Sequence, residues 1–152
     1  MVQAECVIFV GLPGSGKTTL YRERFSGTHV HISKDRSPNA SRREARQHEV
    51  IDQSLAAGRS VVIDNTNPTT AERAAIIAIA RTHRAKVIGY FFDVPTRAAV
   101  ARNAERSGRE KVPNVAIFTV AKRLERPTGE EGFDALFVVR IAPDRSLRIE
   151  SA

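Results

Sequence analysis

The sequence predicts a protein of the α/β class, with a mostly parallel five-stranded sheet and helices on both of its faces. Short apolar runs alternate along the chain with longer segments of helical periodicity, which is the order of elements in strand–helix–strand units. Two helical segments begin with a Ser/Thr-x-x-Glu capping box, at Ser41 and at Thr69. Gly58 follows the first of these segments, as a C-terminal glycine often does.

The N-terminal half is predicted to contain three strands. Cys6–Val10 is a run of strand-forming residues, and Thr19–Phe25 opens the helix that follows it. A second strand is expected at residues 28–32, before the helix that runs from Ser41 to Gly58. The third strand, at residues 60–64, is apolar and ends in a carboxylate.

The C-terminal half continues the alternation. The helix that begins at Thr69 carries an apolar face of Ala75, Ile76 and Ile79. The remaining elements follow in order: a strand at residues 86–92, a helix at 96–105, a polar segment at 106–112, a helix at 113–126 and a final strand at 136–141.

Composition agrees with one domain over residues 1–152. Apolar residues make up 41% of the chain and charged residues 27%, as in an ordinary globular domain. The single cysteine, Cys6, excludes an internal disulfide framework, so the predicted location is the cytoplasm. No apolar stretch approaches the roughly 20 residues of a membrane helix, and Glu5 interrupts the N-terminal apolar run. Neither a membrane nor a structural metal is expected, and the sequence does not indicate an oligomeric state.

Residues Gly11 to Thr18, called the phosphate loop below, fit the pattern G-x-x-x-x-G-K-[ST] between a predicted strand and a predicted helix. Glycines let backbone N–H groups surround a phosphate, and the helix N-terminus adds partial positive charge. Lys17 is expected to reach the β- and γ-phosphates of ATP, and Thr18 to bind Mg²⁺. The predicted nucleotide-binding residues are Gly11, Leu12, Pro13, Gly14, Ser15, Gly16, Lys17, Thr18 and Thr19.

Polar residues follow three of the predicted strands, where ligands bind in open α/β sheets. Asp35 follows the second strand and is the candidate for accepting a proton from an attacking hydroxyl, although a turn residue would look the same. Asp64 ends the third strand like a Walker B carboxylate and is the second candidate Mg²⁺ ligand. Asn65 and Asn67 are candidate substrate contacts or turn residues, and Asp93 fits a turn.

Positive charge is concentrated in residues 97–126, called the lid below. This segment has eight Lys or Arg against three Glu, which leaves +5 of the chain's net charge of +7. Arg102 and Arg106 are four residues apart, so they share one helix face and could close together over a triphosphate. A solvated basic helix is the alternative. The four histidines lack the spacing of metal ligands.

Five motifs occur in the order and spacing of a known family: the phosphate loop, Asp64-Asn-Thr-Asn-Pro68, Arg102-Asn103, Val112-Pro113 and Pro127-Thr-x-x-Glu131-Gly-Phe133. The chain thereby resembles the kinase domain of polynucleotide 5′-hydroxyl kinases, the animal DNA-repair type more than the bacteriophage type. This resemblance covers nearly the whole chain. It implies a three-layer P-loop kinase fold with an arginine-bearing lid, ATP and Mg²⁺ as cofactors, and 5′-OH ends of DNA or RNA as acceptors.

The resemblance also implies roles for individual residues. Asp35 matches the general base that takes the proton from the 5′-OH, and Arg106 matches a lid arginine on the donor phosphates, with Arg102 in support. Phage and some bacterial members carry an arginine three residues after the base, where this chain has Pro38. The possible replacements on the acceptor are Arg36, Arg42 and Arg43.

Two other functional classes stay open. A kinase for a small hydroxyl compound (a sugar, nucleoside or aminosugar nucleotide) would have a closed polar pocket and weak salt dependence. A nucleotide-dependent switch would need Lys17 but neither Asp35 nor Arg106.

Overall fold

The computed structural model describes residues 3–34 and 42–152 and contains a six-stranded sheet with five α-helices. The strands are β1 (Glu5–Val10), β2 (Val30–Ile32), β3 (Val61–Ile63), β4 (Lys86–Phe92), β5 (Ala135–Ile141) and β6 (Leu147–Ser151). The helices are α1 (Lys17–Arg24), α2 (Arg43–Ala56), α3 (Thr70–Thr82), α4 (Thr96–Ala104) and α5 (Asn114–Arg123). Short 3-10 turns lie at Gly108–Glu110 and Gly129–Glu131.

The sheet has the order β2-β3-β1-β4-β5-β6. Its first five strands are parallel, and Ile8 of β1 pairs with Ile63 of β3 on one side and Gly89 of β4 on the other. The predicted α/β class and mostly parallel sheet are therefore confirmed. The carboxyl ends of these parallel strands lie at one edge of the sheet, called the carboxyl edge below.

The sixth strand adds to the five that the sequence predicts. β6 runs antiparallel to β5, and Val139 of β5 pairs with Ile149 of β6. Its residues alternate between apolar Leu147 and Ile149 and charged Arg148 and Glu150, which is the pattern of a half-buried edge strand. This alternation is the signal that identifies the strand in the sequence.

Alternate residues of β1 supply the two sides of the core, because successive side chains of a strand point to opposite faces. Ile8 packs in a cluster with Ile51 of α2 and Ile76 of α3. Phe9 packs in a second cluster with Leu20 of α1. The helices on both faces are thus held by the same central strand, and the chain leaves that strand directly into the phosphate loop.

Helix ends agree with the predicted signals where the structure describes them. The backbone N–H of Glu72 donates to the Thr69 hydroxyl over 3.2 Å, so Thr69 caps α3. Ser41, the predicted cap of α2, lies outside the described residues. Among the described helices, none is long and apolar enough to cross a membrane.

The thiol of Cys6 should be chemically silent in the folded protein. Its side chain is fully buried on β1, and burial raises its pKa to about 12. Because the thiolate is the reactive form, labelling at pH 8 should be slower than for an exposed thiol by roughly a thousandfold or more. Labelling with a thiol reagent, with and without denaturant, checks this. Rapid stoichiometric reaction in native buffer would contradict the burial of β1.

Candidate active site

The phosphate loop turns from β1 into α1 through two glycines in left-handed conformations. Gly14 has φ +82° and Gly16 has φ +99°, values that cost a side-chain-bearing residue energy. Helix α1 begins at Lys17, with no acidic residue in its first turn and, within the described residues, no side chain capping it. The partial positive charge of this helix end therefore faces the loop, where it suits an anion such as phosphate.

We expect Gly14→Ala to weaken nucleotide binding by at least about tenfold, because the position requires both a positive φ and open space. A Cβ built on Gly14 lies 2.6 Å from the backbone oxygen of Ala99, which cannot move without shifting α4. Gly27→Ala is the matched control, since its Cβ meets no atom within 4 Å. Calorimetric titration with ATP measures the difference, and equal affinities for the two variants would contradict it.

Two buried polar groups of the loop suit the phosphates of a nucleotide. The Lys17 ammonium donates to the backbone oxygens of Leu12 over 2.6 Å and Gly11 over 3.2 Å, which holds it at the loop. The hydroxyl of Ser15 is fully buried and is the only buried side-chain polar atom among the described residues without a hydrogen bond. An unsatisfied buried hydroxyl is costly, so this donor fits a phosphate oxygen held by the loop.

Asp64 lies at the centre of the carboxyl edge, where two side chains converge on one of its oxygens. The Thr18 hydroxyl donates to Asp64 Oδ2 over 2.8 Å, and His31 Nε2 lies 2.7 Å from the same atom. The His31 ring in turn stacks on Tyr21 at 4.2 Å between centroids. Burial alone would raise the pKa of Asp64, but the hydrogen bond with His31, the charge of Lys17 and the hydrogen bond from Thr18 hold it below its ordinary value. Asp64 is therefore ionised at neutral pH.

The donor set at Asp64 fits a hard cation. Thr18 and Asp64 supply a hydroxyl and a carboxylate oxygen in direct contact, and Mg²⁺ prefers few protein oxygens together with phosphate and water. Within residues 3–34 and 42–152, no group of three or more His, Cys, Asp or Glu side chains gathers that could hold a metal. Both predicted Mg²⁺ ligands thus lie together beside the phosphate loop.

The segment Asp64–Pro68, called the acceptor loop below, is held by its two asparagines. Asn67 is buried with φ +42°, and its amide donates to the backbone oxygen of Phe9 over 2.7 Å. The Asn65 amide donates to Gln47 of α2, and its oxygen accepts from the backbone N–H of Lys34 over 2.8 Å. These contacts fasten the loop to β1 and α2. The predicted contact of Asn65 and Asn67 with substrate stays a prediction.

A buried ion pair, which the sequence analysis did not single out, supports the acceptor loop. Arg73 of α3 is fully buried and forms two hydrogen bonds with Glu131, of 2.8 and 3.1 Å. A third donor nitrogen of Arg73 binds the backbone oxygen of Asn67 over 2.9 Å. Glu131 also accepts from the backbone N–H of Thr128 over 2.8 Å, in a capping box that the Thr-x-x-Glu pattern signals. The chain around Glu131 therefore braces the acceptor loop through Arg73.

The lid lies over the phosphate loop. Leu12 of that loop packs in one cluster with Ala99 of α4 and Ile117 of α5. The buried amide of Asn103 exchanges two hydrogen bonds with the backbone of Val112, of 2.6 and 3.0 Å. These bonds link the end of α4 to the segment that leads into α5.

The two predicted lid arginines have different contacts. Arg102 donates from Nε to the backbone oxygen of Gly14 over 2.9 Å, so it lies on the phosphate loop. Arg106 donates to the backbone oxygen of Glu110 over 3.0 Å, within the lid itself. Burial, with the charges of Arg106 and Arg145, lowers the pKa of Arg102. Arg145, in the turn between β5 and β6, is a further cation near Arg102 that the sequence analysis did not identify, and it forms an ion pair with Glu105. Arg102 contacts the phosphate loop directly, where its charge suits an anionic ligand.

Asp35, Arg36 and Pro38 lie outside the described residues. The residue that precedes them, Lys34, is tied by its backbone to Asn65 of the acceptor loop. The roles of Asp35 as base and Arg36 as acceptor contact stay predictions.

Comparison with known proteins places this geometry in a family. A family model described as an AAA domain matches residues 6–127. A bifunctional polynucleotide phosphatase/kinase of Schizosaccharomyces pombe is 28% identical over 142 residues, which cover 85% of this chain and 32% of that protein. A provisionally named bifunctional polynucleotide phosphatase/kinase of Acanthamoeba polyphaga mimivirus is 29% identical over 150 residues, covering 94% of this chain and 35% of that protein. The chain spans about a third of the length of these relatives.

Solved structures with the same fold include kinases for different acceptors. A sugar kinase from Janibacter sp. HTCC2649 superposes with a TM-score of 0.67 and 18% identity, covering 90% of this chain and 85% of that one. A fungal RNA kinase superposes with a TM-score of 0.66 and 18% identity, covering 91% of this chain and 38% of that one. At these identities the likeness shows the P-loop kinase fold alone.

Proposed function

This chain belongs to the AAA domain family and is a nucleotide-binding P-loop kinase, and from that premise we propose that it transfers the γ-phosphate of ATP to the 5′-hydroxyl end of DNA or RNA. One observation supports a polynucleotide as the acceptor. Both curated relatives are named polynucleotide phosphatase/kinases, and their likeness extends over 94% and 85% of this chain. The net charge of +7 supports a polyanionic acceptor.

The chain's own residues supply positioning and charge, which are the main contributions of a protein to phosphoryl transfer. Lys17 and the N-terminus of α1 hold the donor phosphates, and Arg102 with Arg106 balances negative charge from the lid side. Thr18 and Asp64 would hold Mg²⁺, which screens the phosphate oxygens when bound. Asp35 accepts the proton of the attacking 5′-hydroxyl.

The test is transfer of label from γ-labelled ATP to alternative acceptors in the presence of Mg²⁺. The acceptors are a 5′-OH oligonucleotide, the same oligonucleotide with a 5′-phosphate, a nucleoside and a simple sugar. Label is expected on the 5′-OH oligonucleotide alone, since the 5′-phosphate version keeps the charged backbone but lacks the reacting hydroxyl. Label on the sugar or nucleoside, or ATP turnover with no labelled nucleic acid, would replace this proposal with a small-hydroxyl kinase or a switch.

A further inference from the structure

We propose that an exposed stripe of α5, formed by Val115, Phe118 and Lys122, is the docking surface for the single-stranded segment behind the acceptor's 5′ end. This inference rests on the proposed function, because it names the surface along which the same acceptor leaves the active site. The occupant is a single-stranded polynucleotide, recognised by stacking of its bases and attraction of its phosphates.

The stripe contains the large hydrophobic side chains that are exposed to solvent among the described residues. Val115 and Phe118 are its two exposed large hydrophobic side chains, with 67% and 49% of their surface accessible. They are three residues apart and Lys122 follows four residues later, so all three lie along one face of α5. Ile117 is fully buried in the lid cluster. The side chain of Phe118 is therefore not needed to pack α5 onto the domain.

The position of α5 joins the stripe to both halves of the active site. Ile117 packs with Leu12 of the phosphate loop. Just past the other end of α5, the Glu125 N–H donates to the backbone oxygen of Pro68 over 2.7 Å, and the Glu125 carboxylate accepts from the N–H of Thr70 over 2.9 Å. α5 thus reaches from the phosphate loop to the acceptor loop, and its ten residues span about 15 Å.

Charge favours a polyanion over other occupants of this surface. Lys111 and Lys122 flank the apolar pair and are exposed, and within the described residues neither forms an ion pair. Arg123, by contrast, is paired with Glu72. A second copy of this chain would bring a further net charge of +7 towards the same lysines, which is repulsive. Phosphates are attracted to both lysines, and a base can stack on the Phe118 ring whatever its identity.

The experiment compares the KM for a 5′-OH trinucleotide with that for a dodecanucleotide of the same composition. Phe118→Ala should raise the KM for the dodecanucleotide about 5- to 50-fold and leave the trinucleotide KM and both kcat values within about twofold of wild type. Phe118→Tyr should retain the wild-type KM because it keeps the ring. Phe118→Leu should behave like alanine because it keeps apolar surface but cannot stack as an aromatic ring.

Salt dependence tests the cationic half of the surface. Lys122→Ala should reduce the slope of log KM against log salt for the dodecanucleotide by about one. Lys86→Ala is the matched control, because Lys86 is also exposed but begins β4 at the opposite edge of the sheet. It should leave the slope unchanged. Thermal unfolding of each variant checks that the fold is retained.

The outcomes separate this inference from the proposed function. If wild type labels both oligonucleotides and Phe118→Ala leaves the dodecanucleotide KM unchanged, the surface assignment fails while the kinase activity stands. Full affinity in Phe118→Leu, or a dimer that Phe118→Ala dissociates, would assign the stripe to a protein contact and overturn the inference. If wild type labels no oligonucleotide at any length, the proposed function fails and the inference falls with it.

Discussion

Asp35→Asn should lower the rate of phosphate transfer to a 5′-OH oligonucleotide by roughly 10²–10⁴-fold while sparing ATP affinity. This is the usual contribution of a positioned general base, and asparagine removes the proton acceptor with little change in size. Single-turnover transfer measures the chemical step, and titration with ATP measures donor binding.

The control for Asp35→Asn is the same substitution at an aspartate that lies outside the candidate active site. Asp52 is exposed on α2 and pairs with His83 over 2.6 Å. Asp52→Asn should therefore leave kcat unchanged. If Asp35→Asn keeps transfer within about tenfold of wild type, Asp35 is not the base and the reaction needs another acceptor of the proton.

Breaking the Arg73–Glu131 pair should cost about 3–5 kcal/mol of folding free energy, because either single replacement leaves a buried charge without its partner. Arg73→Met and Glu131→Leu are the two single variants, and the double variant replaces both charges with apolar groups. The double variant should recover much of the lost stability. Denaturant unfolding at neutral pH measures all four proteins.

An exposed ion pair provides the comparison. Arg22 and Glu110 lie 3.3 Å apart with side chains 66% and 63% accessible, so Arg22→Ala should cost less than about 1 kcal/mol. Equal losses for Arg73→Met and Arg22→Ala would contradict the predicted cost of leaving the buried Glu131 carboxylate without its partner. The double variant should still transfer phosphate poorly, because no side chain then binds the Asn67 oxygen and braces the acceptor loop.

Local sequence patterns were sufficient to predict most elements of the fold. Three signals each involve only a few neighbouring residues: the glycine spacing in the phosphate loop, the cap at Thr69 and the apolar runs of the parallel strands. They can therefore be recognised without knowing which segments pack together. Strand β6 was not predicted, because it is only five residues long and about half of its residues are polar. The alternation of apolar and charged residues in β6 is nevertheless typical of an edge strand.

The sequence by itself determined the α/β class and the phosphate loop, because each depends on residues close together in the chain. Only the tertiary structure decided how distant residues meet: Thr18 with Asp64 across 46 positions, His31 with Asp64 across 33, and Arg73 with Glu131 across 58. Strand order and helix packing bring these side chains into contact, and neither is encoded in any one segment. The same packing leaves Phe118 exposed while it buries its neighbour Ile117.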